Sequence, residues 1–241
     1  MRKSPDTNSF SVVIIHCKAI LFDMDGILIS SIESVERSWT KWAHLRGVNS
    51  ALTRETARGR RAVETIAKLR PDLDPEAELK VIEDIEVADN EGLAVLPGVR
   101  ELLAALPPDR WTVVTSATER LARIRLAAGR IPLPEHLIAA EHVTRGKPHP
   151  EPFLAGAASL GAEPAECVVF EDSASGARAG REAGCTVVAT TFSMPAESLG
   201  SAHYLVRDLT GVSAEATPDG LVLRLTPFAE RSTESLKAQE S

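Results

Sequence analysis

Two carboxylates, Asp23 and Asp25, end the apolar run Ile20-Leu21-Phe22, with Met24 between them and Gly26 behind. In extended backbone, residues two apart point the same way, so both acids would project together from the carboxyl end of a strand. Like charges that close raise each other's proton affinity unless they share a proton or a cation sits between them, and a divalent metal is the simplest remedy. Alone, the same stretch also reads as a strand entering an Asp/Gly turn. Two more polar groups follow apolar segments, Thr115 with Ser116 and Glu171 with Asp172, and Lys147 stands in a loop, within Gly-Lys-Pro-His-Pro. Singly, these read as helix caps and a solvated loop lysine. Jointly they supply what phosphoryl transfer needs: a carboxylate nucleophile, a second carboxyl to move a proton, oxygen ligands for a hard cation, and donors for phosphate oxygens. Mg²⁺ suits such ligands, whereas zinc would call for histidine or cysteine partners that these groups lack.

The elements that must position these residues follow an α/β grammar. From Pro97 onward, the pattern alternates: a helix over Val99 to Leu106, a strand over Trp111 to Thr115, a helix over Thr118 to Ala128, and a short strand near Leu137 to Ala139. It continues with a helix over Glu151 to Leu160, a strand over Cys167 to Phe170, and a further helix and strand ending at Thr190. Strands near Tyr204 and over Leu221 to Leu225 are expected to finish the edge of the sheet. Between Ser31 and Leu93 the pattern is helical. Ser30 or Ser31 can cap a helix carrying Ile32, Val35, Trp39 and Trp42 and closed by Gly47, and further helices end at Gly59, before Pro71, and near Asn90. The reading is an α/β core over residues 1–29 and 95–241, interrupted by a small helical insert over 30–94. Ligands of such sheets bind beyond the carboxyl ends of the strands, where the acids, hydroxyls and Lys147 all fall.

Gly176, Gly180 and Gly184 do not have dinucleotide-loop spacing. Gly176 and Gly180 lie on one helix face, where small residues permit close packing on the sheet, and Gly184 suits a helix C-terminus. The cluster Arg54, Arg58, Arg60 and Arg61 reads either as a solvated face or, through Arg60 with Arg58 or Arg61, as a contact to the substrate.

At 241 residues, 44% hydrophobic and 25% charged, the chain has room for a sizeable core. A formal net charge of −7 argues against a nucleic-acid partner. No apolar run is long enough to cross a bilayer. The stretch Phe10 to Phe22 follows Arg2 and Lys3 but is broken by His16 and Lys18 and lacks a small-residue cleavage site, so it reads as the entry to a core strand. Cys17, Cys167 and Cys185 each border an apolar run, as buried reduced thiols of a cytoplasmic protein would. The expected assembly is a monomer or weak homodimer, with a small phosphorylated substrate as its partner.

Asp-Met-Asp-Gly (23–26), Val-Val-Thr-Ser (113–116), Gly-Lys-Pro (146–148) and Phe-Glu-Asp-Ser (170–173) occur in the order characteristic of the haloacid dehalogenase superfamily. The chain resembles that family from about Ala19 to about Thr190, and its Ser34 to Ala43 and Arg58 to Arg61 segments are similar to small sugar-phosphate and glycerol-phosphate phosphatases with a helical cap. The resemblance implies a Rossmann-like core and a set of roles. Asp23 would be the nucleophile and Asp25 the acid/base. Thr115, Ser116 and Lys147 would hold phosphoryl oxygens, and Mg²⁺ would sit on Asp23, the backbone carbonyl of Asp25, Asp172, and Glu171 through water. Arg58 stands where those phosphatases tend to carry histidine, and Ile27 and Ser30 depart from the family's usual Thr or Val and Asp. A β-phosphoglucomutase-like phosphomutase uses the same groups and is the main alternative, ahead of a non-catalytic phosphometabolite-binding module.

Overall fold

The computed structural model describes residues 11–57, 59–89 and 91–230. In chain order its elements are β1 (Val13–Cys17), β2 (Ala19–Phe22), β3 (Ile29–Ser30), α1 (Ile32–Arg46), α2 (Ser50–Ala57), α3 (Ala62–Leu69), α4 (Pro75–Ala88), β4 (Ala94–Val95), α5 (Val99–Ala104), β5 (Trp111–Val113), α6 (Glu119–Ala128), α7 (Glu151–Ser159), β6 (Cys167–Glu171), α8 (Ala174–Glu182), β7 (Thr186–Thr190), β8 (Tyr204–Val206), β9 (Val212–Thr217), β10 (Gly220–Leu225) and β11 (Ala229–Glu230).

The main sheet runs β11-β8-β7-β6-β2-β5, parallel throughout except for β11. A parallel sheet covered by helices on both faces needs apolar residues at successive positions, which is why β2 and β6 read as unbroken apolar runs. Their side chains still alternate. Ile20, Phe22, Val113 and Phe170 join one buried cluster, while Leu21, Val114, Val169 and Phe153 join the other. Phe22 stacks on Phe170, with ring centroids 5.3 Å apart, and meets Trp111 edge-on, which locks the register that brings the ends of β2, β5 and β6 level.

Helices α1 to α4 lie between β3 and β4 and enclose a cluster of their own: Trp39, Trp42, Ala57, Ile66 and Ile82. Trp42 is wholly buried, and its indole N–H is satisfied by donating to Glu78 at 2.9 Å. The segments leading into and out of these helices pair antiparallel, Ile29 with Val95 and Ser30 with Ala94. Helix α1 ends at Gly47 in the left-handed region, and α4 begins with Pro75 behind the Asp74 cap, as the sequence signals require.

The stretch that leads into β2 carries β1, which pairs antiparallel with β10 in a separate sheet, β1-β10-β9, so the chain changes sheet at Lys18; Phe10 lies outside the described residues. Two expectations need correction. Strand β10 does not finish the main sheet. Leu221, Leu223 and Leu225 are buried while Arg224 is exposed, the one-sided pattern of an antiparallel strand. Near Leu137 to Ala139 only one parallel bridge forms, Val114 to Ile138.

The three cysteines are buried and unpaired, as expected. Burial pushes the Cys17 and Cys185 thiols up to about 12 and Cys167 up to about 11, so they stay protonated and unreactive near neutrality.

Candidate active site

Lys147 organises the site. Its ammonium donates to Asp23 Oδ1 at 2.7 Å, Glu171 Oε1 at 2.7 Å and the Val114 carbonyl at 3.0 Å, which uses all three of its protons. It is 2% exposed, and its Nζ lies 4.9 Å from the centroid of the Phe153 ring. Burial alone would lower the proton affinity of this amine. The Asp23 and Glu171 carboxylates reverse that and hold it above its ordinary value.

Glu171 is completely buried, and its other oxygen accepts from the backbone N–H groups of Asp172 and Ser173 and from the Ser173 hydroxyl, each at 2.9 Å. These donors belong to the start of α8, where the helix dipole favours an anion. Gly176 permits the approach, because a Cβ there would collide with the Glu171 carboxylate. Gly180 makes the second close approach, 3.0 Å from Val187 to a Cβ built there, as the four-residue glycine spacing suggested.

Asp23, Glu171 and Asp172 each offer a carboxylate oxygen within 4.8 Å of the others, and all three residues are buried. Burial pushes Asp23 up to about 7, against the pull of Lys147 and with Glu171 and Asp25 adding to it. Asp172 is also raised well above the ordinary carboxylate range, by burial first and then by Glu171 and Asp23. Lys147 bridges Asp23 and Glu171 but not Asp172. A hard divalent cation with oxygen ligands therefore fits the donor set, and it would relieve the repulsion that the lysine leaves uncompensated. Gly26 holds the floor of this cluster: its φ is +86°, and a Cβ there would overlap the Asp172 carboxylate.

Asp25 belongs to a different network. Its Oδ1 accepts from the Ser31 hydroxyl at 2.5 Å and from Arg125 Nη1 at 2.9 Å. Ser31 stands at the N-terminus of α1 as expected, but its hydroxyl is turned to Asp25 and does not cap the helix. Thr115 is buried and Ser116 half-buried, and both line the cavity with Asp23, Asp25, Lys147 and Asp172. The Thr115 hydroxyl accepts from the Ala117 N–H at 3.1 Å, while Ser116 donates to the Gly59 carbonyl of the helical insert at 3.4 Å.

The cavity, about 130 Å³, is closed on its far side by the insert, with Val35, Glu36, Trp39, Arg54, Arg60, Glu83 and Glu86 among its lining. Arg60 is among its lining residues and is exposed. Arg58 lies outside the described residues. Arg61 faces elsewhere, donating to the Val143 and Thr144 carbonyls at 2.8 and 2.7 Å, so it ties the insert to the loop before Lys147.

Sequence reasoning missed Arg125, Glu83 and Glu86. A signal was present for two of them. Arg125 falls on the stripe of α6 that Leu121, Ala122 and Leu126 bury, and Glu86 falls one turn beyond Ile82 on the buried stripe of α4. A charge on a buried stripe is a group that needs a partner.

A parallel α/β sheet with a buried carboxylate–lysine array at its carboxyl edge, roofed by helices, defines an enzyme whose reacting groups stand at the ends of its central strands. Its sequence matches the description "haloacid dehalogenase-like hydrolase" over residues 17–184, and the chain belongs to that family. It is 35% identical to hexitol phosphatase A of Escherichia coli over 86% of this chain and 98% of that protein. Against glycerol-1-phosphate phosphohydrolase 1 of Saccharomyces cerevisiae it is 35% identical over 73% of this chain and 76% of the other. Its fold superposes with a TM-score of 0.72 on a hydrolase from Pseudomonas syringae, at 23% identity, covering 80% of this chain and 94% of that one. The motif order read from the sequence therefore identified the family, and the α/β core follows from it. Among the described residues, no helix is long and apolar enough to cross a membrane.

Proposed function

We propose that the protein is a Mg²⁺-dependent phosphatase of a small sugar or polyol phosphate, working through an aspartyl-phosphate on Asp23. The observation that carries this reading is the shared ammonium of Lys147, 2.7 Å from both Asp23 and Glu171, beside Asp172 and at the mouth of a cavity that also holds Asp25. Asp23 attacks phosphorus in line with the leaving oxygen, Asp25 gives that oxygen a proton, and Asp25 then takes a proton from the water that splits the acyl phosphate. Thr115 and Ser116 hold the phosphoryl oxygens, and Lys147 joins them by its charge and by exchanging one of its three present acceptors for a phosphoryl oxygen when substrate binds. Asp23, Asp172 and the Asp25 carbonyl would hold Mg²⁺, with Glu171 contributing through water while anchoring Lys147. Bound there, the ion would neutralise the charge between the nucleophile and the phosphate.

Residues 30–94 act as the lid of a core formed by 1–29 and 95–241, and Arg60, with Arg58, reads the substrate's hydroxyls. The lining offers groups for a hydroxyl-bearing remainder: Glu36 can accept from hydroxyls, Arg54 and Arg60 can donate to them, and Trp39 offers an apolar face. The reading further includes a cytoplasmic location and a monomeric or weakly dimeric state.

A phosphate-release screen over phosphorylated sugars, polyols and nucleotides with Mg²⁺ tests it, with Asp23→Asn alongside. Release from a sugar or polyol phosphate, lowered at least about 10³-fold in the variant, is expected. Undiminished activity in Asp23→Asn would sink the mechanism, and a phosphorylated product without free phosphate would replace hydrolysis by transfer.

A further inference from the structure

Helix α6 carries a buried guanidinium where packing alone calls for an apolar side chain. Arg125 is 2% exposed and lies on the stripe formed by Leu121, Ala122 and Leu126. Burying a guanidinium is unfavourable unless its charge is matched and its donors are used, so its partners show what it is for. Among the described residues there are two, and they come from different parts of the molecule. Nη1 donates to Asp25 Oδ1 at 2.9 Å, and Nη2 reaches Glu86 Oε1, on α4 of the insert, at 3.4 Å.

Helix α4 is fastened to α6 at other points as well. Glu83 accepts from the Thr118 hydroxyl at 2.5 Å and from Arg120 at 2.6 Å, and Asp84 accepts from Arg120 at 2.8 Å. Those contacts suffice to seat one helix on the other, and Arg120 is exposed. Arg125 differs in being buried and in reaching a residue beside the nucleophile. Its planar fork fixes direction as well as charge, and arginine keeps its proton throughout the working pH range, so it cannot itself exchange a proton with substrate.

We infer that Arg125 is a positioning residue for Asp25, and that through Glu86 it makes the placement of Asp25 depend on the helical insert being seated on the core. This rests on the proposed role of Asp25 as acid/base. With Ser31 and Arg125 on the same oxygen, the Asp25 carboxylate is fixed in rotation. When α4 lifts from α6, Nη2 loses its second anion and the fork loses the contact that orients it. The acid/base would then be aligned only over an enclosed substrate.

The test is a double-mutant cycle in the full chain with Mg²⁺, using glycerol phosphate and p-nitrophenyl phosphate, whose leaving group needs no proton. Arg125→Ala is expected to lower kcat on glycerol phosphate by about 10- to 100-fold, the range that a displaced acid/base gives, with KM changed less than about threefold. Arg125→Lys is expected to fall between, since it keeps the cation and loses the fork. In an Asp25→Asn background, adding either substitution should lower kcat on p-nitrophenyl phosphate no further, because the residue acted upon is gone. If Arg125→Ala does not fold, Arg125→Lys carries the same comparison. Losses that multiply in the double variant, or near-normal kcat in the single one, overturn the inference. Full activity in Asp25→Asn instead overturns the assignment of Asp25 on which it rests.

Discussion

Replacing Lys147 with methionine is the most direct perturbation of the site, because it keeps most of the stem volume and deletes the charge. Lys147 is 2% exposed and its ammonium is the cation shared by Asp23 and Glu171, at 2.7 Å from each. Removing one partner from a buried ion pair typically costs about 3–5 kcal/mol, since the remaining charge keeps its desolvation penalty without compensation. For a chain of this size 1 kcal/mol shifts Tm by about 2–4 °C, so Lys147→Met should melt roughly 6–20 °C lower at pH 8 without added metal. The deficit should depend on pH. Burial already pushes Asp23 up to about 7 from an ordinary 3.8 while Lys147 holds it down, so losing the lysine raises it further. A carboxyl whose affinity is raised on folding binds more protons folded than unfolded, so its ionisation removes stability as pH rises through the folded value. The variant's deficit should therefore be largest at pH 8 and shrink toward pH 5. Urea unfolding of both proteins at the two pH values measures this. A deficit below about 1 kcal/mol, or one that does not vary with pH, would refute the claim that this cation balances the carboxylates.

Two other predictions rest on separate features. Gly26→Ala places a Cβ against the Asp172 carboxylate at a φ of +86°, so it should weaken Mg²⁺ binding measured by calorimetry and cost about 1–2 kcal/mol of stability from backbone strain alone. Glu86 is pushed up from 4.5 to about 7 by burial, with Arg125 opposing and Asp25 adding, so its ionisation removes stability between those values. Glu86→Gln lacks that titration, and its stability relative to wild type should improve from pH 5 to pH 8 by on the order of 3 kcal/mol in denaturant unfolding, with no improvement if the group is not buried as described.

The carboxylates of the candidate site were legible because they follow apolar runs whose composition already marks a strand, whereas Lys147 was read from a loop. Asp23 after Ile20 to Phe22, and Glu171 with Asp172 after Cys167 to Phe170, are set level by parallel pairing between Phe22 and Phe170. Unbroken apolar runs, apolar residues at helical spacing and Gly/Pro punctuation were enough to find those elements and the four helices of the insert. What periodicity could not show was which sheet a strand joins. β1 and β10 carry ordinary strand signals, and only their one-sided burial separates them from the main sheet. The Asp25 network was hidden for another reason. Arg125 lies 100 residues from Asp25, and Glu86 lies on a different element from both. No local pattern encodes a contact between them, although a charge placed on each buried helix stripe marks that such a contact must exist.

The two-residue ribbon of β3 and β4 has a consequence for how this molecule can diversify. Because Ser30 lies opposite Ala94, the chain leaves the core and re-enters it at neighbouring points. To the core, everything between is a single loop whose closure costs little more whether it is short or long, since that term grows only with the logarithm of length. A helical segment of different size or chemistry can therefore be spliced at this ribbon while the register of Phe22, Val113 and Phe170 stays as it is. Such a splice would need to supply a donor to Asp25 where Ser31 stands, a carboxylate facing Arg125, a backbone carbonyl facing Ser116, and partners for Thr118, Arg120 and the loop before Lys147. The strand-end groups of the core and the helices between β3 and β4 are thus separable pieces of inheritance, joined at one ribbon.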